Sequence, residues 1–557
     1  MYAGPVHFTG PALPSPLSAF SDISSTSFSR MDIRARRAAR EPHRGRPDPR
    51  ALSASTEHTN HTDHGDSHML KHHRRIALAT ATAAALTGGL LSFSAGTASA
   101  ATPARQYKAD FNHDGYGDIA FAAPYATVGG KSMAGYVAVV YGSANGLNSA
   151  KRTVVSENTA GVPGTAETED GFGSAIAVAD LNGDGYSDLA VGTPGEDNGS
   201  DVDGGAVTVL WGSSTGLKNG TSVKDPAPTK HDNWGQVLAA GDFNGDGKAD
   251  LASGTSASYV YVVKGGFTKS GTTGATQKVT LPEAAMFGVD AMSAGNTNGD
   301  TKADLVLTYR AKLDSAPSGS WSKGVAYLGA STGLVVSQPR GLNGGTSVAL
   351  GDIDGDGYDE IALGNAFGKE DDHTGTLGGK VVVIRGSAGG PVNGDAPMAE
   401  LTQASTGVPG TDTADDGFGG DVSIADTNGD GYGELAIGVV FKDIGAAEDT
   451  GLVVLMNGSA QGVSRTGAKS FSQNTAGVPG TDEDTDYFGS DVLLRDVNKD
   501  GRADLTVSAA FEDGGVGAVT GLLGSASGIT ATGSKSFGPG TFGLSRTYGG
   551  FGSGLTG

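Results

Sequence analysis

Oxygen-bearing side chains on alternate residues, followed by a glycine and a further acid, can cage a hard cation. The chain repeats such a pattern, Asp-x-Asn/Asp-x-Asp-Gly-x-x-Asp/Glu, from Asp110, Asp180, Asp242, Asp352, Asp426 and Asp496. Calcium takes six to eight oxygens at about 2.4 Å, and a short loop can meet that demand by alternating ligands. Side-chain oxygens would come from Asp110, Asn112, Asp114 and Asp118, and from Asp180, Asn182, Asp184 and Asp188. The third loop offers Asp242, Asn244, Asp246 and Asp250, and the fifth offers Asp352, Asp354, Asp356 and Glu360. The sixth offers Asp426, Asn428, Asp430 and Glu434, and the seventh Asp496, Asn498, Asp500 and Asp504. The residue before the penultimate position would give its backbone carbonyl, so its side chain is free to vary: Tyr116, Tyr186, Lys248, Tyr358, Tyr432 and Arg502.

A single Asp-Asn-Gly stretch makes a good turn without any ion. Six with one spacing, each clustering carboxylates that repel one another, are explained more economically by calcium. The arrangement matches the first part of an EF-hand loop, with the closing acid moved to position nine. A degenerate copy spans 296–304, where Asn296 and Thr301 replace the first Asp and the Gly. It keeps Asn298, Asp300 and Asp304, and weak or no binding is expected there. About six calcium sites are expected, each pinning a turn.

Other chemistry finds less support. Gly212-Ser213-Ser214-Thr215-Gly216 and Gly329-Ala330-Ser331-Thr332-Gly333 match a nucleophile pattern. The places equivalent to Ser214 hold Ala144, Ala388, Ala460 and Ala526, so these segments read as hairpin turns. The chain has no cysteine, and only His113, His231 and His373 lie beyond residue 100, which disfavours a His/Cys zinc site. Paired carboxylates are plentiful, so composition leaves a glycosidase or lyase open.

The acidic loops sit within a larger repeat. Their starts are spaced by 70, 62, 54, 56, 74 and 70 residues, counting the copy at Asn296, enough for four strands each. Eight residues before most loops stands an aromatic-Gly pair: Phe172-Gly173, Trp234-Gly235, Phe418-Gly419 and Phe488-Gly489. Phe287-Gly288 is one residue out of step, and Gly344-Gly345 lacks the aromatic. A β-like run follows each loop, then a second run closing on a Gly-Ser turn, then a further run. Each unit therefore reads as a four-stranded antiparallel meander.

The aromatic-Gly pair, the Asp loop and the segment Gly192-Thr193-Pro194 together resemble the FG-GAP repeats of the integrin alpha-subunit N-terminal domain. The resemblance covers about residues 105–557 and implies an all-β fold, a seven-bladed β-propeller. A spare pair, Phe551-Gly552, has no Asp loop after it, while the first Asp loop has no pair before it. The C-terminal strand is thus expected to complete the first blade and close the ring. FG-GAP phospholipases carry a zinc hydrolase domain ahead of the repeats, for which this chain has no room. It also has no membrane span, leg domains or inserted adhesion domain after the integrin pattern.

Residues 69–100 read as an export signal, with Lys71, Arg74 and Arg75 ahead of an apolar stretch and Ala98-Ser99-Ala100 at the cleavage point. Residues 1–68 read as an unfolded or misassigned upstream extension, and 101–557 as the propeller. Residues 101–557 hold 28 Lys/Arg against 54 Asp/Glu, which excludes unaided binding of nucleic acid or anionic lipid. The expected protein is secreted, monomeric and non-enzymatic. It binds an extracellular protein or glycan through the long loops at the end opposite the Asp loops. These include Gly195 to Gly205, Glu167 to Asp170, Lys369 to Asp372 and Thr411 to Asp416. The competing reading is a secreted enzyme acting on polysaccharide, for which Trp321 and Tyr309 would help form an aromatic mouth.

Overall fold

The computed structural model describes residues 109–312, 320–392 and 397–557. The proposed signal and upstream extension fall outside them. The described residues form seven four-stranded antiparallel sheets, arranged as the seven blades of a β-propeller.

Blade two shows the plan. Its strands are Ala175–Ala179, Asp188–Thr193, Ala206–Trp211 and Lys218–Ser222, in that spatial order. The second strand is buried throughout because sheets flank it on both faces. The fourth, Lys-Asn-Gly-Thr-Ser, is mostly exposed or half-buried, and its polar sequence suits an outer edge. The acidic loop joins the first strand to the second, and the Gly-Ser turn joins the third to the fourth. Both connections therefore lie at one end of the blade. The other end collects the second-to-third connections and the links between blades.

The core lies between blades, and the aromatic-Gly pairs show why. Phe172 clusters with Val137 of the preceding blade, Trp234 with Val207, Phe418 with Val381, and Phe488 with Val453. Each anchor also donates its backbone N–H to the preceding blade, to Ala134, Gly204, Gly378 and Thr450 respectively, at 2.8–3.0 Å. The glycine after each anchor has a positive φ, from 89° to 96°, which an L side chain rarely adopts. Blade four departs from the expectation. Phe287 is 44% exposed, and Val289 takes the buried place beside Val260. The shift of one residue turned the ring outward, where it lies 5.4 Å from the Arg310 guanidinium.

Phe551 repeats the anchor geometry. It is fully buried, clusters with Val519 of blade seven, and donates its N–H to Val516. Leu555–Thr556 then pairs antiparallel with Ile119–Ala123, giving blade one its fourth strand. The ring closes as the repeats imply. The described helices are two single turns, Glu512–Gly515 and the 3-10 turn Pro539–Phe542.

Phe551 meets Phe121 at 4.7 Å and Phe542 at 5.4 Å between ring centres. Replacing a buried Phe by Ala costs about 3–5 kcal/mol. Phe551→Ala should therefore lower the urea unfolding midpoint clearly. An unchanged midpoint would mean that the C-terminal strand does not hold the ring.

Candidate metal centre

Each acidic loop wraps its backbone around its own side chains. In all six full loops the position-one carboxylate accepts the N–H of the position-six glycine, at 2.8–3.0 Å. The position-three oxygen accepts the position-five N–H, and the position-five oxygen accepts the position-seven N–H. These bonds turn the oxygens of positions one, three and five toward one another. The position-six glycine allows it: Gly185, for example, has φ 89°. Asp352, Asp354 and Asp356 each place an oxygen within 4.8 Å of the others. Hard oxygen donors crowded in this way fit calcium, which would be held by positions one, three and five and by the carbonyl at position seven.

The ninth residue has a further role that its spacing did not reveal. In all seven blades its carboxylate bridges two backbone N–H groups. Asp188 accepts from Leu181 at 3.0 Å and from Gly212 at 2.9 Å, tying the acidic loop to the Gly-Ser turn. Asp118 does the same with Phe111 and Gly142, Asp250 with Phe243 and Gly265, and Asp504 with Val497 and Gly524. Glu360 bridges Ile353 and Gly386, and Glu434 bridges Thr427 and Gly458. Asp304 bridges Thr297 and Gly329 in the degenerate loop, so the latch survives where the calcium pattern fails.

The loops also join neighbouring blades. The carbonyl of Asp110 accepts the Ser187 N–H of the next loop at 3.1 Å, and Asp242, Asn296, Asp352 and Asp426 repeat this contact. A position-one residue thus aims its carboxylate into its own loop and its carbonyl at the next blade.

Loop four is self-contained. The Asn296 amide donates to the Asp300 carbonyl at 2.7 Å, and the Lys302 ammonium sits 3.2 Å from the Asp300 carboxylate. Side-chain cations approach other loops too. Lys151 lies 3.7 Å from Asp114, Lys269 3.1 Å from Asp184, and Arg502 3.5 Å from Asp500. Arg385 pairs with Asp354 and Asp356, so a guanidinium competes for loop five. Arg502 is the seventh residue of its own loop, whereas no motif marks Lys151, Lys269 and Arg385, which come from elsewhere in the chain.

Burial pushes the closing acids up. Asp118, Asp188 and Asp250 rise to about 7, Asp304 and Asp504 to about 6, and Glu360 to about 8. Glu434 is raised for the same reason.

The motif resembling a nucleophile elbow is a turn. Ser213 donates its hydroxyl to the Gly216 carbonyl at 2.6 Å, as Ser143 does to Gly146 and Ser525 to Gly528. Tyr309 is buried in the blade core, while Trp321 is exposed with Lys323 over its ring at 4.4 Å. An unforeseen run of ring contacts links Phe441, Tyr487, Phe511, Tyr548 and Tyr125 across blades six, seven and one. Phe441 and Tyr487 are buried, so this end of the run is packing between blades.

A β-propeller whose blades are joined through repeated acidic loops is the class these features define. The FG-GAP repeat family model matches residues 108–140, 172–210, 234–270, 344–384 and 488–522, so the chain carries FG-GAP repeats, and part of it is homologous to integrin alpha subunits. It is 37% identical over 144 residues to phosphatidylinositol-glycan-specific phospholipase D of Mus musculus, a match covering 26% of this chain and 17% of that protein. It is 32% identical over 163 residues to integrin alpha-PS5 of Drosophila melanogaster, covering 27% of this chain and 15% of the relative. With integrin alpha-8 of Mus musculus it shares 28% over 243 residues, covering 39% and 21% respectively. The chain therefore matches about a fifth or less of the length of these relatives.

Two outcomes test the site. Asp304→Asn leaves a buried N–H without its carboxylate acceptor and should cost about 1–3 kcal/mol by chemical denaturation, with no change in bound calcium. Asp184→Asn, at position five of the second loop, should instead lose one ion. The closing acids are raised above the ordinary carboxylate value, so the metal-free fold is favoured by their protonated forms. That contribution is complete at low pH and is lost as pH rises through about 6 to 8. In chelator, the melting temperature should fall across that window, and excess calcium should restore it most at the upper end. A chelated melting temperature that rises with pH there would contradict the assignment.

Proposed function

We propose that this chain is a secreted, calcium-stabilised FG-GAP propeller that acts as a non-enzymatic binding module for an extracellular protein or glycan. The observation that carries the calcium reading is the contrast between loops. Six keep an aspartate at position one and a position-six glycine with positive φ, and the one that replaces both, with Asn296 and Thr301, turns its Asn296 amide onto the Asp300 carbonyl. Calcium in the six would hold each blade's first turn and, through the position-one residue, its neighbour. The residues at 69–100 supply the export signal in this reading.

The binding face is the end away from the acidic loops. Val202, Met286, Phe287, Leu377 and Tyr548 are exposed large hydrophobics on connections at that end, and Trp321 is exposed at the start of the strand Ser320–Tyr327 there. A groove of about 430 Å³ there is lined by Trp321, Lys369 and His373 among others. Exposed apolar groups beside charge suit a partner surface. No described helix is long and apolar enough to cross a membrane.

The phospholipase relative raises a hydrolytic reading, and the sites favour binding. His113 stands beside Tyr186, His231 packs among Trp234, Tyr259 and Tyr261, and His373 borders the Trp321 groove. They lie in separate surroundings. A polysaccharide-acting enzyme is likewise disfavoured by the burial of Tyr309.

Ion binding at 100 times the dissociation constant stabilises a fold by about 2.7 kcal/mol per site. Chelation should lower the melting temperature by several degrees at least, as read by differential scanning calorimetry. No shift would remove calcium from the proposal. A protein and glycan array probed in calcium, then in chelator, should give signal only in calcium. Trp321→Ala should weaken that signal without altering the melting temperature. Silence on both arrays would end the binding reading.

A further inference from the structure

At the end opposite the acidic loops, three carboxylates meet. Glu157 follows the outer strand of blade one, Asp170 precedes the anchor Phe172, and Glu196 follows the second strand of blade two. Each places an oxygen within 4.8 Å of the other two. Glu157 is 5% exposed and Asp170 2%. Glu157 Oε2 is sealed from solvent with no hydrogen-bond partner, and so is Glu196 Oε2. A buried carboxylate oxygen without a partner is costly, and three converging acids compound the cost.

The repeat supplies its own comparison. Blades five to six and six to seven build the same corner with the same backbone bonds. The Gly195 N–H donates to the Asp170 carbonyl, as Phe441 does to Asp416 and Phe511 to Asp486. The Gly205 N–H donates to the Glu196 carbonyl, as Gly451 does to Lys442 and Gly517 to Glu512. The Thr159 N–H donates to the Ser156 carbonyl, as Ser405 does to Thr402 and Thr475 to Ser472. The equivalent trios are therefore Glu157, Asp170, Glu196; Gln403, Asp416, Lys442; and Gln473, Asp486, Glu512.

In the second trio a cation is built in. The Lys442 ammonium donates to Asp416 at 2.7 Å, to the Thr411 carbonyl at 2.7 Å and to the Thr413 hydroxyl at 3.3 Å. In the third, the Gln473 amide donates to Glu512. The first trio has only carboxylates, with neither an ammonium nor an amide among its three side chains.

We propose that Glu157, Asp170 and Glu196 bind a hard divalent cation of the calcium or manganese type, in the place that the Lys442 ammonium fills between blades five and six. All-oxygen ligation by three carboxylates selects hard ions over soft ones. The ion would staple blade one to blade two at the partner-facing end, independently of the acidic loops. Asp197, Asp201 and Asp203 lie on the same connection as Glu196, between the strands Asp188–Thr193 and Ala206–Trp211, so occupancy of the site would also fix that connection.

Glu196→Lys copies the blade-six arrangement and should fold. Native mass spectrometry of the full chain in calcium chloride should show it one ion short of the unaltered protein. An equal ion count overturns the proposal. Crystals of the unaltered chain soaked in manganese chloride give a second reading that needs no variant. An anomalous peak among the three carboxylates is expected. Peaks in the acidic loops with none here overturn this site alone. A peak here with none in the loops would sustain it and overturn the loop assignment. Peaks nowhere overturn both.

Discussion

Two N–H groups from separate turns share one buried carboxylate in every blade. That bridge sets the rest of the structure. The acidic loop and the Gly-Ser turn are both glycine-rich and short of apolar contacts, so neither has much to hold it in place. The carboxylate at position nine fixes one to the other from within, where water cannot compete. Because the bridge also stands in blade four, its function is to build the blade. The residues proposed to hold calcium would then be a second layer laid on the same loop.

This separates two demands that the sequence pattern runs together. Positions one, three, five and six are what a cation requires, and blade four has changed two of them. Position nine is what the fold requires, and blade four retains it. The carbonyl of position one serves a third demand, the join to the next blade. An ion bound to the side chains of that residue would therefore stiffen a contact between blades as well as a turn within one.

Propeller blades meet through apolar surfaces, and a ring tolerates no loose blade. Phe172, Trp234, Phe418, Phe488 and Phe551 each seat in the preceding blade with one N–H bond beside them. Blade four, with Phe287 displaced, uses the smaller Val289, and the same blade has the degenerate acidic loop. Blade five, where Gly344-Gly345 lacks the aromatic, nevertheless keeps a full acidic loop. At the opposite end, corners of equal backbone geometry carry an ammonium, an amide or a third acid. Charge there varies from corner to corner, while the backbone bonds stay the same.

The sequence by itself determined the number of blades, the strands within each and the closure of the ring. A spacing repeated seven times, with one spare aromatic-Gly pair at the end, leaves little freedom in how strands follow one another. It also marked which loops carry alternating oxygens, because those ligands are neighbours in the chain. Only the tertiary structure decided what comes from afar. The Gly212 and Leu181 partners of Asp188, the Arg385 competitor at loop five, and the meeting of Glu157 with Glu196 join residues from different strands or blades. A one-residue shift at Phe287 was equally unreadable in its consequence, since strand faces alternate and the step turned the ring from core to solvent. Local pattern fixes what is adjacent along the chain, whereas the partners of a buried charge depend on which surfaces the closed ring brings together.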